Sequence, residues 1–191
     1  LKKYGWTVQV QDFQAKTYDD LTWDLSNVIA SINPQATKRI LLAAHWDTRR
    51  MADKDTERID QPIDGANDGA SGVGVLMEIA RSISAQPLPE GVGIDLIFFD
   101  GEDDGEPEYT SSRDNSKIWW CHGSQFWSKN KHLPNYSAYY GILVDLVGGK
   151  KELLGEFWHS LERSGLEISE IVDGVRAKRV NDIIKPVDVK T

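Results

Sequence analysis

Apolar and polar residues alternate at the start of the chain. Trp6, Val8 and Val10 are separated by single polar residues, and the pattern runs to Phe13. A period of two residues is typical of a strand with one buried face. A second strand is predicted over residues 25–32, and the turn residues directly after it mark its end. We expect these two strands to pair antiparallel.

Three later segments are short apolar runs without this alternation. They cover residues 39–44, 94–99 and 140–147. Such runs are typical of strands that are buried on both faces of a parallel sheet. We expect the third run to carry Asp145 inside the strand, where a carboxylate is costly to bury unless it is paired or binds a metal.

Apolar residues at three- and four-residue spacing predict helices between and after the strands. One helix leads to about Ser84, a short one covers residues 123–129, and an amphipathic one covers residues 169–184. The order of elements predicts an α/β fold, as one domain over residues 1–191, with a mixed, mainly parallel sheet between two layers of helices. The apolar face predicted for the first helix consists of Val75, Leu76, Ile79, Ala80 and Ile83.

Composition excludes several classes of protein. The net charge of −8 argues against a nucleic-acid partner, because binding phosphates requires a basic surface. No apolar run approaches the ~18 residues that span a bilayer. The only cysteine, Cys121, excludes an intramolecular disulfide and a cysteine-based zinc site. The chain begins at Leu1 without a leader pattern, so we expect either a removed leader or a fragment.

A glycine-rich stretch from Gly65 to Gly74 surrounds one carboxylate, Asp68. Glycines allow the backbone to approach a ligand, a metal or a packed strand closely. We therefore expect this turn to display Asp68. The alternative is that Asp68 only caps the helix that follows.

Five residues that could bind a metal stand at strand ends or turns. Imidazoles and carboxylates from separate loops typically form catalytic zinc sites, and the carboxyl ends of buried strands are where open α/β sheets bind ligands. None of the five is diagnostic alone. Tryptophans near them would line a pocket or belong to the core. The five candidate ligands are His45, Asp68, Asp103, Asp145 and His159.

Five segments occur in the order seen in the zinc-dependent aminopeptidase superfamily called M28. Within that superfamily the chain most resembles the bacterial glutaminyl-peptide cyclotransferases, or glutaminyl cyclases. The features of this branch are the phrase from His45 to Arg49, residues 120–127, and a tryptophan directly before His159. The segments that carry the wider resemblance are 44–47, 65–72, 98–103, 144–146 and 158–160.

The resemblance implies a zinc-exopeptidase-like fold and a role for each matching residue. One zinc per chain would be held by Asp68, Asp103 and His159, and Glu102 would be the general acid/base. The family usually has glutamate where Asp103 stands, and aspartate is an oxygen ligand that is one methylene shorter. Asp145 would join a hydrogen-bond network around the reacting amide.

Further roles follow from the same resemblance. Trp158 would form one wall of the substrate pocket, and Trp120 or Trp119 would form a second wall. His45 and Asp47 would be second-metal ligands or would support the ligands. In a two-zinc aminopeptidase, His45 and Asp145 would bind the second ion.

The activity implied is zinc-dependent cyclisation of the N-terminal glutamine of peptides and proteins to pyroglutamate, with release of ammonia. Two alternatives remain open: a two-zinc aminopeptidase and an inactive remnant of the fold. The resemblance also implies a periplasmic, cell-surface or secreted location.

The chain departs from the family pattern in two places. The family has several tens of residues between positions that match Gly149 and Gly155, where this chain has almost none. The amino-terminal helix that is common in the family is missing as well. We expect either a true internal deletion or a longer chain of which some residues are not included in the sequence. The sequence leaves both explanations open.

Overall fold

The structure is a computed structural model that describes residues 1–107 and 118–148. These residues form one five-stranded sheet with two helices. The strand order across the sheet is β1-β2-β4-β3-β5. The elements in chain order are β1 (Thr7–Lys16), β2 (Thr22–Ile32), β3 (Lys38–His45), α1 (Ala70–Ser84), β4 (Val92–Phe99), α2 (His122–Lys129) and β5 (Ala138–Leu143).

The sheet is mixed, as predicted. β1 pairs antiparallel with β2, and β2 pairs antiparallel with β4. β3 lies between β4 and β5 and is parallel to both. The predicted strands over residues 25–32, 39–44 and 94–99 are confirmed with small extensions at their ends. Because β3 and β4 are parallel and His45 is opposite Phe99, the residues that follow these two strands lie at the same sheet edge.

Each face of the sheet has its own apolar core, which confirms the three-layer arrangement. Successive side chains of a strand point to opposite faces, so neighbouring residues enter different cores. The core under α1 contains Ala30, Leu42, Ala44, Leu96 and Phe98 of the sheet with Leu76 and Ala80 of the helix. The opposite core contains Ile29, Ala43, Ile97 and Phe99 with Trp127 of α2.

The apolar face predicted for α1 is confirmed except at one position. Leu76 and Ala80 are fully buried, and Ile79 and Ile83 pack at the margin of the core. Val75 is 37% exposed. An α-helix turns about 100° per residue, so Val75 lies roughly a quarter turn away from Leu76 and points out of the core. In the part of the chain that the structure describes, no helix has the length and apolarity needed to cross a membrane.

The prediction of a buried strand over residues 140–147 is wrong in two respects. β5 ends at Leu143, and Asp145 lies in the loop that follows. β5 is also exposed, with Leu143 at 67%. Val144 still donates a backbone hydrogen bond to Ala43, but the chain then leaves the sheet, and Leu146 adopts a positive φ of 50°. The predicted helix over residues 169–184 lies outside the described residues.

The aspartate that is buried inside a strand is Asp95 of β4. Its carboxylate accepts hydrogen bonds from Ser31 Oγ, from two nitrogens of Arg39 and from the Tyr136 hydroxyl. His132 Nε2 lies 3.5 Å from Asp95 Oδ1. Burial alone would raise the pKa of Asp95, but its interactions with His132, Arg39, Ser31 and Tyr136 outweigh burial and lower it. We call these five residues the Asp95 cluster.

Candidate metal centre and active site

The candidate site lies at the carboxyl ends of β3 and β4. His45 is the last residue of β3, and the segment after β4 carries Glu102 and Asp103. The turn before α1 contributes Asp68, and the loop after β5 contributes Asp145. Parallel strands expose their carboxyl ends at one edge, where α/β sheets bind ligands. We call His45, Asp47, Asp68, Glu102, Asp103 and Asp145 the carboxylate site.

His45 is buried at the centre of the carboxylate site. Its Nε2 lies 3.1 Å from Asp68 Oδ1 and 3.3 Å from Asp145 Oδ1. On the other side of the ring, Nδ1 lies 3.4 Å from Asp47 Oδ1 and 3.8 Å from Glu102 Oε2. The imidazole is therefore surrounded by carboxylates from four different positions in the chain.

The site has an excess of negative charge, which shifts several pKa values. Burial would lower the pKa of His45, but the hydrogen bond with Asp47 and the charge of Glu102 raise it to about 9. Burial and the charge of Asp68 raise the pKa of Asp103 to about 7, against the opposing effect of Arg49. Burial also raises the pKa of Glu102. Carboxylates that repel one another in this way are stabilised by a cation.

The residues present fit a zinc ion. His45, Asp68 and Asp145 each offer one ligand atom, and these atoms all lie within 4.8 Å of one another. Asp103 is not in this group, but its Oδ2 is buried without a hydrogen-bond partner, as is Oδ2 of the neighbouring Asp104. Imidazole and carboxylate are both zinc donors. The predicted ligand His159 lies outside the described residues, so the set of Asp68, Asp103 and His159 stays a prediction.

Asp68 does not act as a helix cap. The N-cap position of α1 is Gly69, and no side chain makes a capping hydrogen bond there. Gly69 has a φ of 91°, and a Cβ on it would lie 2.5 Å from the Asp47 carbonyl oxygen and 3.2 Å from His45 Cε1. A side chain at Gly72 would lie 2.6 Å from the Val144 carbonyl oxygen. The two glycines thus allow β3 and the loop after β5 to approach Asp68.

Two polar residues beside Asp68 hold the loop that carries Asp145. The Gly148 N–H donates to Asn67 Oδ1 at 2.7 Å, and the Val147 N–H donates to Ser71 Oγ at 3.1 Å. No role is predicted from the sequence for Asn67 or Ser71. The sequence feature that could have indicated a role for them is their position on either side of Asp68 in the glycine-rich turn.

Glu102 is half-buried beside His45, and the residue before α2 contacts it. The Cys121 thiol donates to Glu102 Oε1 at 3.4 Å, and the Cys121 N–H donates to the Glu102 carbonyl oxygen at 2.9 Å. Burial and the charge of Glu102 raise the pKa of Cys121 to about 12, so the thiol is protonated at neutral pH. Its place as the only cysteine excludes an intramolecular disulfide and a cysteine-based zinc site, but nothing in the sequence predicts this contact with Glu102.

Asp47 supports its neighbours in the site. Its Oδ2 accepts the backbone N–H of Asp103 at 3.0 Å, while its Oδ1 faces the His45 ring. Burial would raise the pKa of Asp47, but hydrogen bonds from His45 and from the backbone of Asp103 and Glu102 outweigh burial and lower it. The two roles predicted for Asp47, second-metal ligand or support of the ligands, stay predictions.

The tryptophans near the polar motifs have different environments. Trp120 and Trp119 are partly exposed, and the Arg49 guanidinium carbon lies 4.6 Å from the centre of the Trp120 ring. Trp127 belongs to the core on the α2 face and donates a hydrogen bond to His132. The core interpretation is therefore confirmed for Trp127. Trp158 lies outside the described residues.

The chain matches known proteins over most of its length. The sequence profile of peptidase family M28 matches residues 27–185. The glutaminyl-peptide cyclotransferase of Bos taurus is 25% identical over 186 residues, which are 90% of this chain and 49% of the relative. The chain thus spans about half the length of this curated relative.

Two crystal structures have a similar fold and higher sequence identity. A zinc-dependent exopeptidase from Parabacteroides distasonis is 48% identical, with a TM-score of 0.72, over 78% of this chain and 50% of that chain. The glutaminyl cyclase of Bacteroides thetaiotaomicron, bound to N-acetylhistamine, is 40% identical, with a TM-score of 0.74, over 86% of this chain and 61% of that chain. The sheet, the glycine-rich turn and the profile match lead to one conclusion: this chain belongs to peptidase family M28.

Proposed function

We propose that this chain is a zinc-dependent glutaminyl cyclase, an acyltransferase that converts the N-terminal glutamine of peptides and proteins to pyroglutamate. The observation that carries the proposal is a half-buried Glu102 with a raised pKa beside a cluster of metal-binding side chains. Peptidases of the family share such a cluster. The choice of cyclisation over hydrolysis is supported by relatives named glutaminyl cyclases.

The reaction is an intramolecular acyl transfer. The substrate's α-amine attacks the carbon of its side-chain amide, a ring C–N bond forms, and the bond to the amide nitrogen breaks to release ammonia. A five-membered ring favours this attack by proximity, so the protein mainly orients the reacting groups. Asp68, Asp103 and the predicted ligand His159 would hold zinc, which acts as a Lewis acid on the amide oxygen when bound.

Glu102 would transfer the proton. Its carboxylate accepts a proton from the attacking amine and donates one to the departing nitrogen. A pKa raised toward neutrality suits both steps, because the group must bind and release a proton at the same pH. The Cys121 thiol donates to Glu102 Oε1, and Glu102 Oε2 lies 3.8 Å from His45 Nδ1, so both contacts orient the carboxylate.

Asp145 and the aromatic residues would orient the substrate. The Asp145 side chain is 38% exposed, so its carboxylate is accessible at the rim of the site and can accept a hydrogen bond from the departing amide nitrogen. Trp120 and Trp158 would form apolar walls and limit the access of water, which would otherwise hydrolyse the amide.

One observation favours the two-zinc aminopeptidase as a second candidate. Asp68 lies within ligand distance of His45 and Asp145, and its charge also acts on Asp103. A carboxylate in this position could bridge two ions. Zinc stoichiometry separates the candidates, because a cyclase is expected to bind one ion per chain and the aminopeptidase two.

The test compares Glu102→Gln with Glu90→Gln, a substitution at an exposed position. Ammonia release from a peptide with N-terminal glutamine is measured with chelator and with added zinc, beside an aminopeptidase substrate. We expect chelator-sensitive ammonia release that Glu102→Gln abolishes and Glu90→Gln retains. Cleavage of the aminopeptidase substrate without ammonia release would favour the second candidate, and turnover of neither substrate would favour an inactive remnant.

The proposal includes a periplasmic, cell-surface or secreted location, supported by the resemblance to bacterial cyclases. Fractionation of the source cells with an antibody to the protein tests this location. We expect the protein in the periplasmic, surface or medium fraction. Recovery in the cytoplasmic fraction alone would contradict it.

A further inference from the structure

Arg49 connects a candidate metal ligand to a candidate wall of the substrate pocket. Its Nη1 donates to Asp103 Oδ1 at 3.3 Å, and its guanidinium carbon lies 4.6 Å from the centre of the Trp120 ring. Its Nη2 donates to Asp53 Oδ2 at 2.7 Å. The side chain is only 15% exposed, so these contacts define its orientation.

The partners of Arg49 leave one oxygen of Asp103 available. Asp53 is almost fully buried, with 2% of its side chain exposed, and anchors the guanidinium from within the same loop. Asp103 Oδ1 faces Arg49, while Oδ2 is buried without a hydrogen-bond partner. The backbone N–H of Asp103 is held by Asp47. Both the backbone position of Asp103 and the rotation of its carboxylate are therefore constrained.

We propose that Arg49 is a positioning residue, which orients the Asp103 carboxylate so that Oδ2 faces the metal. The same side chain couples Asp103 to Trp120. The proposal rests on the proposed zinc-dependent function. Hydrogen bonds to a ligating carboxylate from outside the metal site typically contribute 10- to 100-fold to metal affinity. Arginine suits this role because its planar fork can donate in two directions while its face stacks on an aromatic ring.

A purely electrostatic role for Arg49 and a positioning role predict opposite changes in zinc affinity when Arg49 is removed. Arg49 also lowers the pKa of Asp103, so zinc affinity is compared at a pH well above 7, where Asp103 is ionised with or without Arg49. At that pH a cation near the metal only repels it, so removing the charge would tighten zinc binding. A positioning role predicts weaker binding, because the Asp103 carboxylate would then rotate freely and lose its alignment. The direction of the change in zinc affinity therefore separates the two roles.

The next residue, Arg50, provides a matched control. Its Nε donates to Asp104 Oδ1 at 2.8 Å and its Nη1 to Asp19 Oδ2 at 3.0 Å. Its guanidinium carbon lies 4.8 Å from the centre of the Trp23 ring. Arg50 therefore combines ion pairs and an aromatic contact as Arg49 does, but its acidic partners are not predicted metal ligands.

The experiment uses the full chain with Arg49→Met, Arg49→Lys and Arg50→Met. Zinc affinity is measured by competition with a chromogenic zinc chelator, and the metal-free stability of each variant is measured by urea unfolding. We expect Arg49→Met to weaken zinc binding about 10-fold or more and Arg49→Lys to restore part of the loss. Arg50→Met should bind zinc within about twofold of the wild type, even where it lowers stability.

Unchanged or tighter zinc binding by Arg49→Met would overturn the proposal, as would an equal loss in Arg50→Met. Asp53→Asn weakens the anchor of Arg49. If Arg49→Met does not fold, Asp53→Asn replaces it in the test, and we expect a smaller loss of zinc affinity. Wild-type protein that binds no zinc would overturn both this proposal and the zinc-dependent function. Wild-type protein that binds zinc and shows the expected loss but releases no ammonia would contradict the cyclase function alone.

Discussion

The strand β4 and the segment that follows it carry two buried aspartates, Asp95 and Asp103, whose charges are compensated in different ways. In the Asp95 cluster, arginine, serine and tyrosine side chains donate to the carboxylate, and the pKa of Asp95 is lowered. In the carboxylate site, the pKa of Asp103 is raised to about 7 and its Oδ2 has no hydrogen-bond partner. A buried charge must be compensated to be stable. The first group contains its own compensation, whereas in the second group Arg49 and His45 compensate only part of the negative charge and a cation would supply the rest.

Removing the acid of the Asp95 cluster should have the largest effect on stability. Asp95→Ala leaves Arg39 buried without its ionic partner, which typically costs about 3–5 kcal/mol in the free energy of unfolding. Urea unfolding of metal-free protein measures the loss. Asp24→Ala, at an exposed position, is the control and should change stability by about 0.5 kcal/mol or less. An equal loss in both variants would mean that the Asp95 cluster contributes little.

Zinc should stabilise the carboxylate site by a smaller amount. At a free zinc concentration of 100 times the dissociation constant, we expect the free energy of unfolding to rise by about 2.7 kcal/mol. Asp68→Asn should abolish this gain, and it should change the stability of the metal-free protein little, because it removes both the repulsion with Asp103 and the ion pair with His45. Thermal unfolding with and without zinc measures both effects. A large loss in metal-free Asp68→Asn would show that the site is part of the scaffold.

The two groups should respond to pH in opposite directions in metal-free protein. The folded pKa of Asp95 is below its unfolded value of about 3.9, so its contribution to stability is present above that pH and is lost as the pH falls further. The folded pKa of Asp103 is about 7, so the native state binds more protons than the unfolded state between about pH 4 and 7. Stability therefore decreases as the pH rises through that window.

Urea unfolding at several pH values between about 3 and 8 tests this contrast. Asp95→Asn should remove part of the acid dependence, and Asp103→Asn should remove part of the decrease toward neutral pH. Parallel pH profiles for the wild type and both variants would contradict the difference between the two groups.

The smallest effect on stability is expected at Ser71, which holds the loop after β5 next to the carboxylate site. Ser71→Ala removes the acceptor for the Val147 N–H, which should cost about 1 kcal/mol or less in unfolding free energy. Zinc affinity should fall several-fold if Asp145 is a ligand, as in the two-zinc candidate, because the loop that carries it becomes less constrained. Chelator competition measures the affinity, and the exposed Ser82→Ala is the control. Unchanged zinc affinity in Ser71→Ala would show that the loop that carries Asp145 does not contribute to zinc binding.

The sequence predicted the inner part of the fold better than its margins. Strands 25–32, 39–44 and 94–99 were predictable because their apolar patterns match the burial that they have. The run over residues 140–147 has a similar pattern, yet β5 is exposed and ends at Leu143. Asp95 and Asp145 both stand in apolar runs. Only tertiary contacts, from residues as distant as Ser31 and Tyr136, determine that Asp95 is the buried one.

The candidate site was predictable in its residue types but not in its supporting contacts. His45, Asp68 and Asp145 meet because each follows a strand or precedes a helix at the same sheet edge. The contacts of Arg49 and Cys121 depend on how loops are placed over that edge, and no spacing in the sequence indicates them. The roles predicted for His159 and Trp158 stay predictions.

The close approaches at Gly69 and Gly72 limit how this protein could be altered by directed evolution. Each added methyl group would meet a backbone carbonyl oxygen, which cannot move away as the end of a flexible side chain can. In a library that samples all amino acids in the turn, these two positions should tolerate substitution as poorly as the metal ligands. Variants with improved activity should therefore carry their changes in the surrounding loops.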